Sequence, residues 1–445
     1  MQLNTSYRQI LSISLPIMLG SAVQNIIALS DSVFLYHLSE IDFAAIGFVG
    51  VFYLIVAAIG FGFSRGGQIM IARRMGQGKM DEVGRTFYAM LYFELALAVI
   101  MFLFMQFGTP YFFAAFVNSD IIYEKSLEYI NFRSYGVFFS YAGVAIVALY
   151  TGAARTMFII VDTLILAVVN IFLNYGLIFG KLGMPEMGIA GAGLASSIAE
   201  GIAFVCFVIY ILFDKNARYY RLFTLPKIDL PLIKKQLKIS SPIVAQAVVG
   251  LGSWFVFFGI VENLGERQLA ITNLVRMVYL VLSIPCWGFS SGINTLVSNF
   301  IGQQKRQAVL PIIWKTAKLC LFTTIIFALP FVIFPEYILY PLLGSEDMSL
   351  IQEAQPIFYV LFWILFFFAL GGVYFNGLAG TGATYYGLKI QTICAIGYLI
   401  YIYVEVEYTN GGLEWAWASE IFYWIVMLAL TIAYLRGDKW HKLKV

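Results

Sequence analysis

The stretch GFSRG at residues 62–66 recurs as GFSSG at residues 288–292, with 226 residues between equivalent positions. Both copies belong to a longer match without gaps, in which residues 11–79 and 237–305 share 19 identities over 69 positions. Identical Gly, Pro, Gln and Lys residues in one frame carry more weight than identical Leu, Val and Ile, which apolar helices share by chance. The sequence therefore predicts two copies of one structural unit.

The composition indicates the environment in which this repeat folds. Of the 445 residues, 61% are hydrophobic and 12% are charged, and the mean hydropathy is +0.83. Soluble domains are about a quarter charged and under half apolar, so a soluble enzyme is excluded. A disordered or nucleic-acid-binding chain is excluded as well. Long unbroken apolar runs argue against an outer-membrane barrel, whose strands alternate. We expect an all-α polytopic membrane protein.

The number of spans fixes the relation between the repeats. A spanning helix needs roughly 20 mostly apolar residues, and six such runs stand on each side of a polar stretch at 214–238. Because six is even, both repeats enter the membrane from the same side and are parallel. We predict a six-helix lobe at 1–213, a cytoplasmic linker at 214–238, and a second six-helix lobe with a short cytoplasmic tail at 239–445. The predicted spans are about 10–36, 43–72, 87–112, 127–153, 156–180, 188–213, 239–262, 268–300, 313–340, 350–379, 384–404 and 412–435.

The charged residues between the spans predict an orientation. Of the 28 basic residues, 22 lie on the side that carries the N-terminus, and three lie in the opposite loops. Loops rich in Lys and Arg remain in the cytoplasm. We therefore expect a multi-pass protein of the plasma (inner) membrane with both termini in the cytoplasm.

Polar residues inside the spans are the candidates for function, because each is costly to place in a bilayer. At roughly 1.5 Å of rise per residue, Asp31 in the first span, Asn174 in the fifth and Ser196 in the sixth lie about 8–12 Å below the outer surface. Asn170 and Glu200 lie one turn deeper on the fifth and sixth spans. A desolvated carboxylate binds a proton more readily than one in water, and amide and hydroxyl oxygens suit a hard cation. These five residues predict a cation-coupling site; the alternative is that they only make hydrogen bonds between helices.

Four motifs carry a family resemblance. They are Leu15-Pro16 followed by Gln24 and Asp31, then GQG at 76–78, then Asn170 and Asn174 followed by LIFG at 177–180, and then GIAGAGLAS at 188–196. In this order and spacing they resemble the multidrug and toxic compound extrusion (MATE) family over essentially the whole chain. The resemblance implies a V-shaped transporter of two lobes that exports cationic or amphipathic compounds. Inward flow of protons or sodium would drive it through alternating access.

Within the family, the site pattern resembles archaeal and DinF-like members. Those members place a carboxylate on helix 1, an Asn and then an Asp on helix 5, and a Thr on helix 6. Asp31, Asn170 and Ser196 correspond to three of these positions, but Asn174 stands where Asp is expected. Glu200 stands where the family more often has Gln, and we expect it to supply the missing charge.

The NorM-like pattern fits less well. NorM-like members carry further acids in helices 7 and 10, where this chain has Gly250 and apolar residues around Phe368. We therefore favour protons over sodium as the coupling ion. A sodium site, if one forms, would use Asp31, Asn170 and Asn174.

Three further residues are candidate substrate contacts: Asn25, Trp254 and Arg276. Trp254 offers an aromatic face to flat cations, and Arg276 could meet an anionic or zwitterionic group. Two alternatives remain for Arg276, which are snorkelling towards the membrane surface and pairing with Glu420, which lies at similar depth.

The expected partners follow from this interpretation. We expect small organic cations or amphipathic drugs and the lipid bilayer as partners, no nucleic acid, a monomer, and no cofactor apart from the coupling ion, H+ or Na+. The two histidines, His37 and His441, lie in a loop and in the tail, and HExxH does not occur. The GxSxG pattern occurs in GFSRG and GFSSG, but both copies lie within apolar spans and not at the strand-to-helix turn that a nucleophilic serine needs, so an enzyme is not expected. The second choice is a lipid-linked saccharide flippase of the same superfamily; twelve spans and few cavity cations argue against it.

Overall fold

Helices make up the regular structure of this chain. The structure, a computed structural model, describes residues 3–117, 119–262, 264–343, 348–409 and 411–443, and no strand occurs among them. The helices are long because apolar residues continue through them without the polar breaks found in soluble proteins. They are α1 Tyr7–Leu38, α2 Glu40–Gln77, α3 Asp81–Leu103, α4 Thr109–Ala114, α5 Asp120–Arg133, α6 Gly136–Gly152, α7 Met157–Phe179, α8 Gly188–Phe213, α9 Lys215–Tyr219, α10 Leu230–Glu262, α11 Glu266–Leu282, α12 Ile284–Gly302, α13 Val309–Ile333, α14 Pro335–Leu343, α15 Met348–Gly380, α16 Thr384–Val404 and α17 Leu413–Arg436.

The spans agree with the predicted number. In the described ranges, ten helices are long and apolar enough to cross a membrane. Two bent pairs, α5 with α6 and α11 with α12, raise the number to 12 if each pair is one span, with bends of 55° and 43°. The predicted all-α polytopic fold is thus confirmed. The bends themselves were not predicted, because each pair forms one apolar run in the sequence.

The helices form two compact units. The first unit runs from Leu19 to Val244, and the second comprises the chain from Ala245 onward together with the segment ending at Met18. The linker at 214–238 lies within the first unit. Met18 and Val244 are 226 residues apart, so the division falls at equivalent positions of the two repeats. As a result α1 and α10 each contribute to both units.

Two glycines of the repeated motif, Gly62 and Gly66 in α2, allow the first part of α10 to pack closely within the first unit. An added Cβ at Gly62 would lie 2.6 Å from Val244 Cγ2, and one at Gly66 would collide with the Ser240 side chain and lie 3.2 Å from Gln236 O. Ser240 Oγ also donates a hydrogen bond to Phe63 O at 2.9 Å. Small residues at these positions therefore let α10 approach the backbone of α2.

The second copy of the motif does the same in the second unit. An added Cβ at Gly288 would collide with Met18 and lie 2.9 Å from Ser14 O, and one at Gly292 would collide with the Ser14 side chain. Here the shared helix is α1 and the receiving helix is α12. The repeat seen in the sequence is therefore a repeat of helix-to-helix contacts.

Helix α8 is central to the first unit, because it packs against α5, α6 and α7. Its glycines permit the close approach. An added Cβ at Gly191 would lie 2.6 Å from Leu177 O in α7, and one at Gly193 would lie 2.5 Å from Tyr129 O in α5. The GAG of the 188–196 motif thus lies between the backbones of α5 and α7, and this close packing sets the position of Ser196 relative to these two helices.

A serine of α8 completes the bend between α5 and α6. Ser197 Oγ donates to Phe132 O at 2.8 Å and accepts a hydrogen bond from the Gly136 backbone N–H at 3.1 Å. Bends in spanning helices leave backbone groups that need new partners, because lipid offers none. Ser197 supplies these partners and holds α8 against the bend.

Two side chains outside the spans join the ends of α6 and α8. Arg155, which follows α6, forms a salt bridge with Asp214, the residue after α8. Tyr150 Oη donates to Asp214 Oδ2 at 3.1 Å, and the Asn216 backbone N–H donates to Asp214 Oδ1 at 3.0 Å. Burial opposes ionisation of Asp214, but the hydrogen bonds from Arg155 and Asn216 outweigh it and hold the pKa of this carboxyl below its ordinary value.

Candidate functional site

Asp31 on α1 makes a hydrogen bond to α7 inside the first unit. Asn174 Nδ2 donates to Asp31 Oδ1 at 2.5 Å. Asn174 is fully buried, and Asp31 is partly buried. The contact joins the first and fifth spans, at two residues for which the sequence predicts a similar depth.

The hydrogen bonds continue from Asn174 to α8. Asn174 Nδ2 also donates to Asn170 Oδ1 at 3.1 Å, one turn along α7. Asn170 Nδ2 donates to Ser196 Oγ at 3.1 Å. Four of the five predicted coupling residues therefore form one hydrogen-bonded chain, Asp31–Asn174–Asn170–Ser196, across three helices.

One polar atom in the hydrogen-bonded chain Asp31–Asn174–Asn170–Ser196 has no hydrogen-bond partner among the described residues. Asn174 Oδ1 is buried and accepts no hydrogen bond from the described residues. Buried polar atoms are rarely left in this state. The amide therefore presents an unused acceptor beside the Asp31 carboxylate.

Glu200 lies apart from the hydrogen-bonded chain. It receives two hydrogen bonds from Arg133, from Nη1 to Oε2 at 2.8 Å and from Nη2 to Oε1 at 2.5 Å. The Arg133 guanidinium carbon also lies 3.8 Å from the centroid of the Tyr53 ring. Glu200 is thus half of a two-point ion pair between α8 and α5.

Arg133 connects the ion pair to Asp31. It interacts electrostatically with Asp31, although Asn174 makes the hydrogen bond. Within the part of the chain that the structure describes, the site therefore holds one fixed positive charge, one carboxylate paired with it, and one carboxylate whose hydrogen bond comes from an amide. The sequence alone indicates no role for Arg133. The available signal was that an arginine in a span needs a counter-ion, and Glu200 is a carboxylate at a similar depth.

Gly136 leaves room for the ion pair. An added Cβ at this position would collide with Arg133 and would lie 2.6 Å from Glu200 Oε2 and 2.8 Å from Ser197 Oγ. The bend between α5 and α6 and the ion pair therefore occupy the same place, and a glycine is required there.

The candidate substrate contacts lie in three places. Asn25 is partly exposed on α1, in the first unit. Trp254 on α10 donates from Nε1 to Glu420 Oε1 at 2.7 Å. The guanidinium of Arg276 lies 5.3 Å from the centroid of the Phe258 ring. The alternative in which Arg276 pairs with Glu420 is not seen, because Trp254 takes the place of the arginine at the carboxylate.

The described residues hold no group of three or more His, Cys, Asp or Glu side chains that could bind a metal ion. The oxygen atoms near Asp31 are its own carboxylate, the amide oxygens of Asn170 and Asn174, and the Ser196 hydroxyl, and Asn174 Oδ1 accepts no hydrogen bond from the described residues.

Long apolar helices in two repeated units, with polar residues joined across three spans, define a polytopic membrane transporter. The MatE family model matches residues 16–176 and 242–404, once in each repeat. The chain therefore belongs to the MATE family, whose members are transporters and not enzymes.

Relatives and solved structures agree with this membership. The chain is 24% identical to the probable multidrug resistance protein NorM of Thermotoga maritima over 443 residues, which cover 98% of this chain and 93% of that protein. It is 27% identical to the probable NorM of Synechocystis over 313 residues, which cover 68% and 67% of the two chains. An outward-facing multidrug resistance MATE family transporter superposes with a TM-score of 0.87 at 18% identity, covering 96% of this chain and 95% of that one. A MOP superfamily transporter of Pyrococcus furiosus, with the same coverage and identity, gives 0.86. These two structures share the fold.

Proposed function

We propose that this chain is a secondary active exporter that exchanges cationic or amphipathic compounds for protons, with Asp31 as the coupling carboxylate. The relatives that carry the name multidrug resistance protein support the export of drugs. The observation that carries the coupling proposal is the hydrogen-bonded chain from Asp31 to Ser196. It gives a carboxylate inside the membrane a connection to two further helices.

The free acceptor Asn174 Oδ1 allows the Asn174 amide to respond to protonation of Asp31. An ionised carboxylate only accepts hydrogen bonds, and Asn174 Nδ2 donates to it. A protonated carboxyl has an O–H that needs an acceptor. Rotation of the Asn174 amide would offer Oδ1 to that proton and would turn Nδ2 away from both Asp31 and Asn170.

The consequence of that rotation reaches α8. Asn170 would lose the donor at its Oδ1, so its own bond to Ser196 would no longer be held in place. Binding of a proton on α1 would thus loosen the attachment of α7 to α8. A local exchange of hydrogen bonds of this kind can bias a two-state transporter, because packed helices have discrete arrangements.

The Arg133–Glu200 pair sets the charge of the site. The three ionisable groups sum to one negative charge when Asp31 is ionised and to zero when Asp31 is protonated. Glu200 would therefore act through Arg133, by holding that guanidinium near Asp31. This is how the glutamate could replace the acid that the family has at the position of Asn174.

The proposed setting follows from the charges of the loops. With 22 of 28 basic residues on one side, the protein would lie in the plasma (inner) membrane with both termini in the cytoplasm. It would act there as a monomer. Protons would enter from outside, and rocking of the two parallel repeats would exchange access.

Ethidium efflux from proteoliposomes under an imposed pH or sodium gradient tests the proposal. Wild type should expel the dye on a proton gradient, and Asp31→Asn should reduce the rate at least about tenfold, since a neutral amide cannot carry the proton. Asp162→Asn is the matched control, because Asp162 is another buried acid of the first unit and makes no hydrogen bond to the chain Asp31–Asn174–Asn170–Ser196.

The outcomes separate the alternatives. Efflux driven by sodium and not by protons would show that sodium is the coupling ion, and Asp31 could still be the residue that binds it. Equal loss in Asp31→Asn and Asp162→Asn would remove the special role of Asp31. Absence of efflux on either gradient for any cationic dye would favour the flippase.

A further inference from the structure

Glu420 and Arg276 are oppositely charged side chains of the second unit that do not pair with each other. Glu420 on α17 is 5% exposed and bonds to Trp254 Nε1. Arg276 on α11 lies over Phe258, and its Nε is buried without a hydrogen-bond partner among the described residues. Neither side chain takes part in a salt bridge within the described ranges.

Two aromatic rings connect the charges. Trp254 and Phe258 lie one turn apart on α10, with ring centroids 5.7 Å apart in an edge-to-face arrangement. Trp254 contacts Glu420, and Phe258 lies under Arg276. The two charges therefore stand at opposite ends of an aromatic surface two rings long. Trp254, Phe258 and Arg276 all remain partly exposed, whereas Glu420 is buried behind Trp254.

The polar groups at Glu420 are neutral. The Tyr398 hydroxyl and Trp424 Nε1 face the carboxylate together with Trp254 Nε1, and Tyr398 is 1% exposed. These three groups supply no counter-charge to the carboxylate. Arg276 Nε, for its part, is buried without a hydrogen-bond partner among the described residues. Such groups are uncommon in folded proteins, and each needs an explanation.

A bound molecule that carries both signs would explain all of these features. An ionised side chain in a low-dielectric environment is costly when it has no counter-charge. A purely cationic ligand would neutralise Glu420 and leave Arg276 without a counter-charge. A flat zwitterion would neutralise both residues and contact the two rings between them, stacking on one ring and meeting the other at its edge.

We propose that Arg276, Phe258, Trp254 and Glu420 form a binding site for aromatic compounds that carry one positive and one negative group. The positive group binds at Glu420, and the negative group binds at Arg276. This inference rests on the proposed function, because it names a class of compound that the exporter binds. It also separates the tasks of the units: in the repeat register Phe257 occupies the position of Asp31, so the second unit has no carboxylate there.

Equilibrium binding of a matched pair of dyes to the purified protein tests the site. Rhodamine B has a cationic ring system and a free carboxylate, whereas its ethyl ester lacks the negative charge. Arg276→Gln should weaken rhodamine B binding at least about tenfold and change ester binding less than about twofold, measured by fluorescence anisotropy. Glu420→Gln should weaken both dyes, and Arg276→Lys should retain the preference for rhodamine B.

The controls use the same substitutions outside the site. Glu414→Gln changes an exposed glutamate of α17, and Arg267→Gln changes an exposed arginine that pairs with Glu353. Both variants should bind both dyes as wild type does. Glutamine at position 420 still accepts a hydrogen bond from Trp254, so the variant should fold, and a thermal melt checks this.

The results contradict the proposal in two ways. Equal weakening of both dyes in Arg276→Gln would show that Arg276 does not bind the negative group. Unchanged binding in Glu420→Gln would remove the carboxylate from the site. Binding needs no ion gradient, so Asp31→Asn should still bind rhodamine B; failure of efflux and failure of this site are therefore distinguishable.

Discussion

Arg133 and Glu200, 67 residues apart in the chain, meet in a two-point ion pair whose side chains are only 7% and 17% exposed. The pair links α5 to α8 next to the bend at Gly136, and it carries the only positive charge described near Asp31. The stability of this part of the first unit and the charge of the coupling site therefore depend on the same two residues.

Removal of one partner should be worse than removal of both. Glu200→Gln leaves the Arg133 charge buried without its partner, and it should destabilise the protein by about 3 kcal/mol. It should also reduce proton-driven efflux about as strongly as Asp31→Asn. The double variant Arg133→Gln/Glu200→Gln should recover much of the stability, and thermal unfolding in detergent for the complete mutant cycle measures this. Additive losses in the double variant would mean that the two residues do not act as a pair.

The hydrogen-bonded chain predicts a graded series of transport defects. Asn174→Ala removes the one hydrogen bond to Asp31 seen among the described residues and should lower proton-driven efflux at least about tenfold. Asn170→Ala breaks the next link and should have a smaller effect, and Ser196→Ala at the end of the chain should cost about two- to threefold. Initial rates at a fixed pH gradient give the ranking. A variant at position 196 that is as inactive as one at position 174 would contradict a relay that starts at Asp31.

The bend in the fourth span predicts a position-specific cost for alanine. Gly136→Ala places a methyl group against Arg133, Glu200 and Ser197 and should destabilise the protein by about 1–3 kcal/mol. Gly143→Ala is the control in the same helix, because nothing lies within 4 Å of an added Cβ there. That variant should match or exceed the stability of wild type, since alanine favours helix. Thermal unfolding of both variants decides the matter, and equal stability of the two would refute the steric argument.

The Arg155–Asp214 pair predicts a pH dependence. The pKa of Asp214 is lowered in the folded protein, so its contribution to stability is present at neutral pH and is lost as the pH falls below the ordinary value of an aspartate. Asp214→Asn should be less stable than wild type by about 2 kcal/mol at neutral pH, and the difference should shrink in acid. Asp229→Asn is the control, because its partner Arg85 is 63% exposed and such bridges contribute little. A difference that persists unchanged in acid would exclude ionisation as its origin.

Much of the fold can be predicted from the sequence because the strongest signals depend only on position along the chain. Span number, span order and the repeat follow from the length and frame of apolar runs, and the structure agrees with them. Depth along a helix is also readable, so the meeting of Asp31, Asn174 and Ser196 could be anticipated. The direction in which a side chain points around the helix axis does not follow from its depth. Glu200 therefore pairs with Arg133, although its depth predicts a position beside Asn170.

The bends at Gly136 and between α11 and α12 cannot be predicted from the sequence for a related reason. Each lies within a continuous apolar run, and the contacts that satisfy the bent backbone come from a distant helix. Ser197, for example, is 61 residues from Gly136. The sequence likewise predicts one depth for Arg276 and Glu420, but Arg276 lies over Phe258, whereas Glu420 is bonded to Trp254.

The division of the chain at Met18 and Val244 bears on the origin of the protein. Neither compact unit is built from one contiguous repeat, because each takes its first half-helix from the other copy. A six-span ancestor with this packing could complete itself only by exchanging that segment with a second molecule. In the present chain each repeat supplies the half-helix that completes the other compact unit, as an exchanged element does in a domain-swapped dimer.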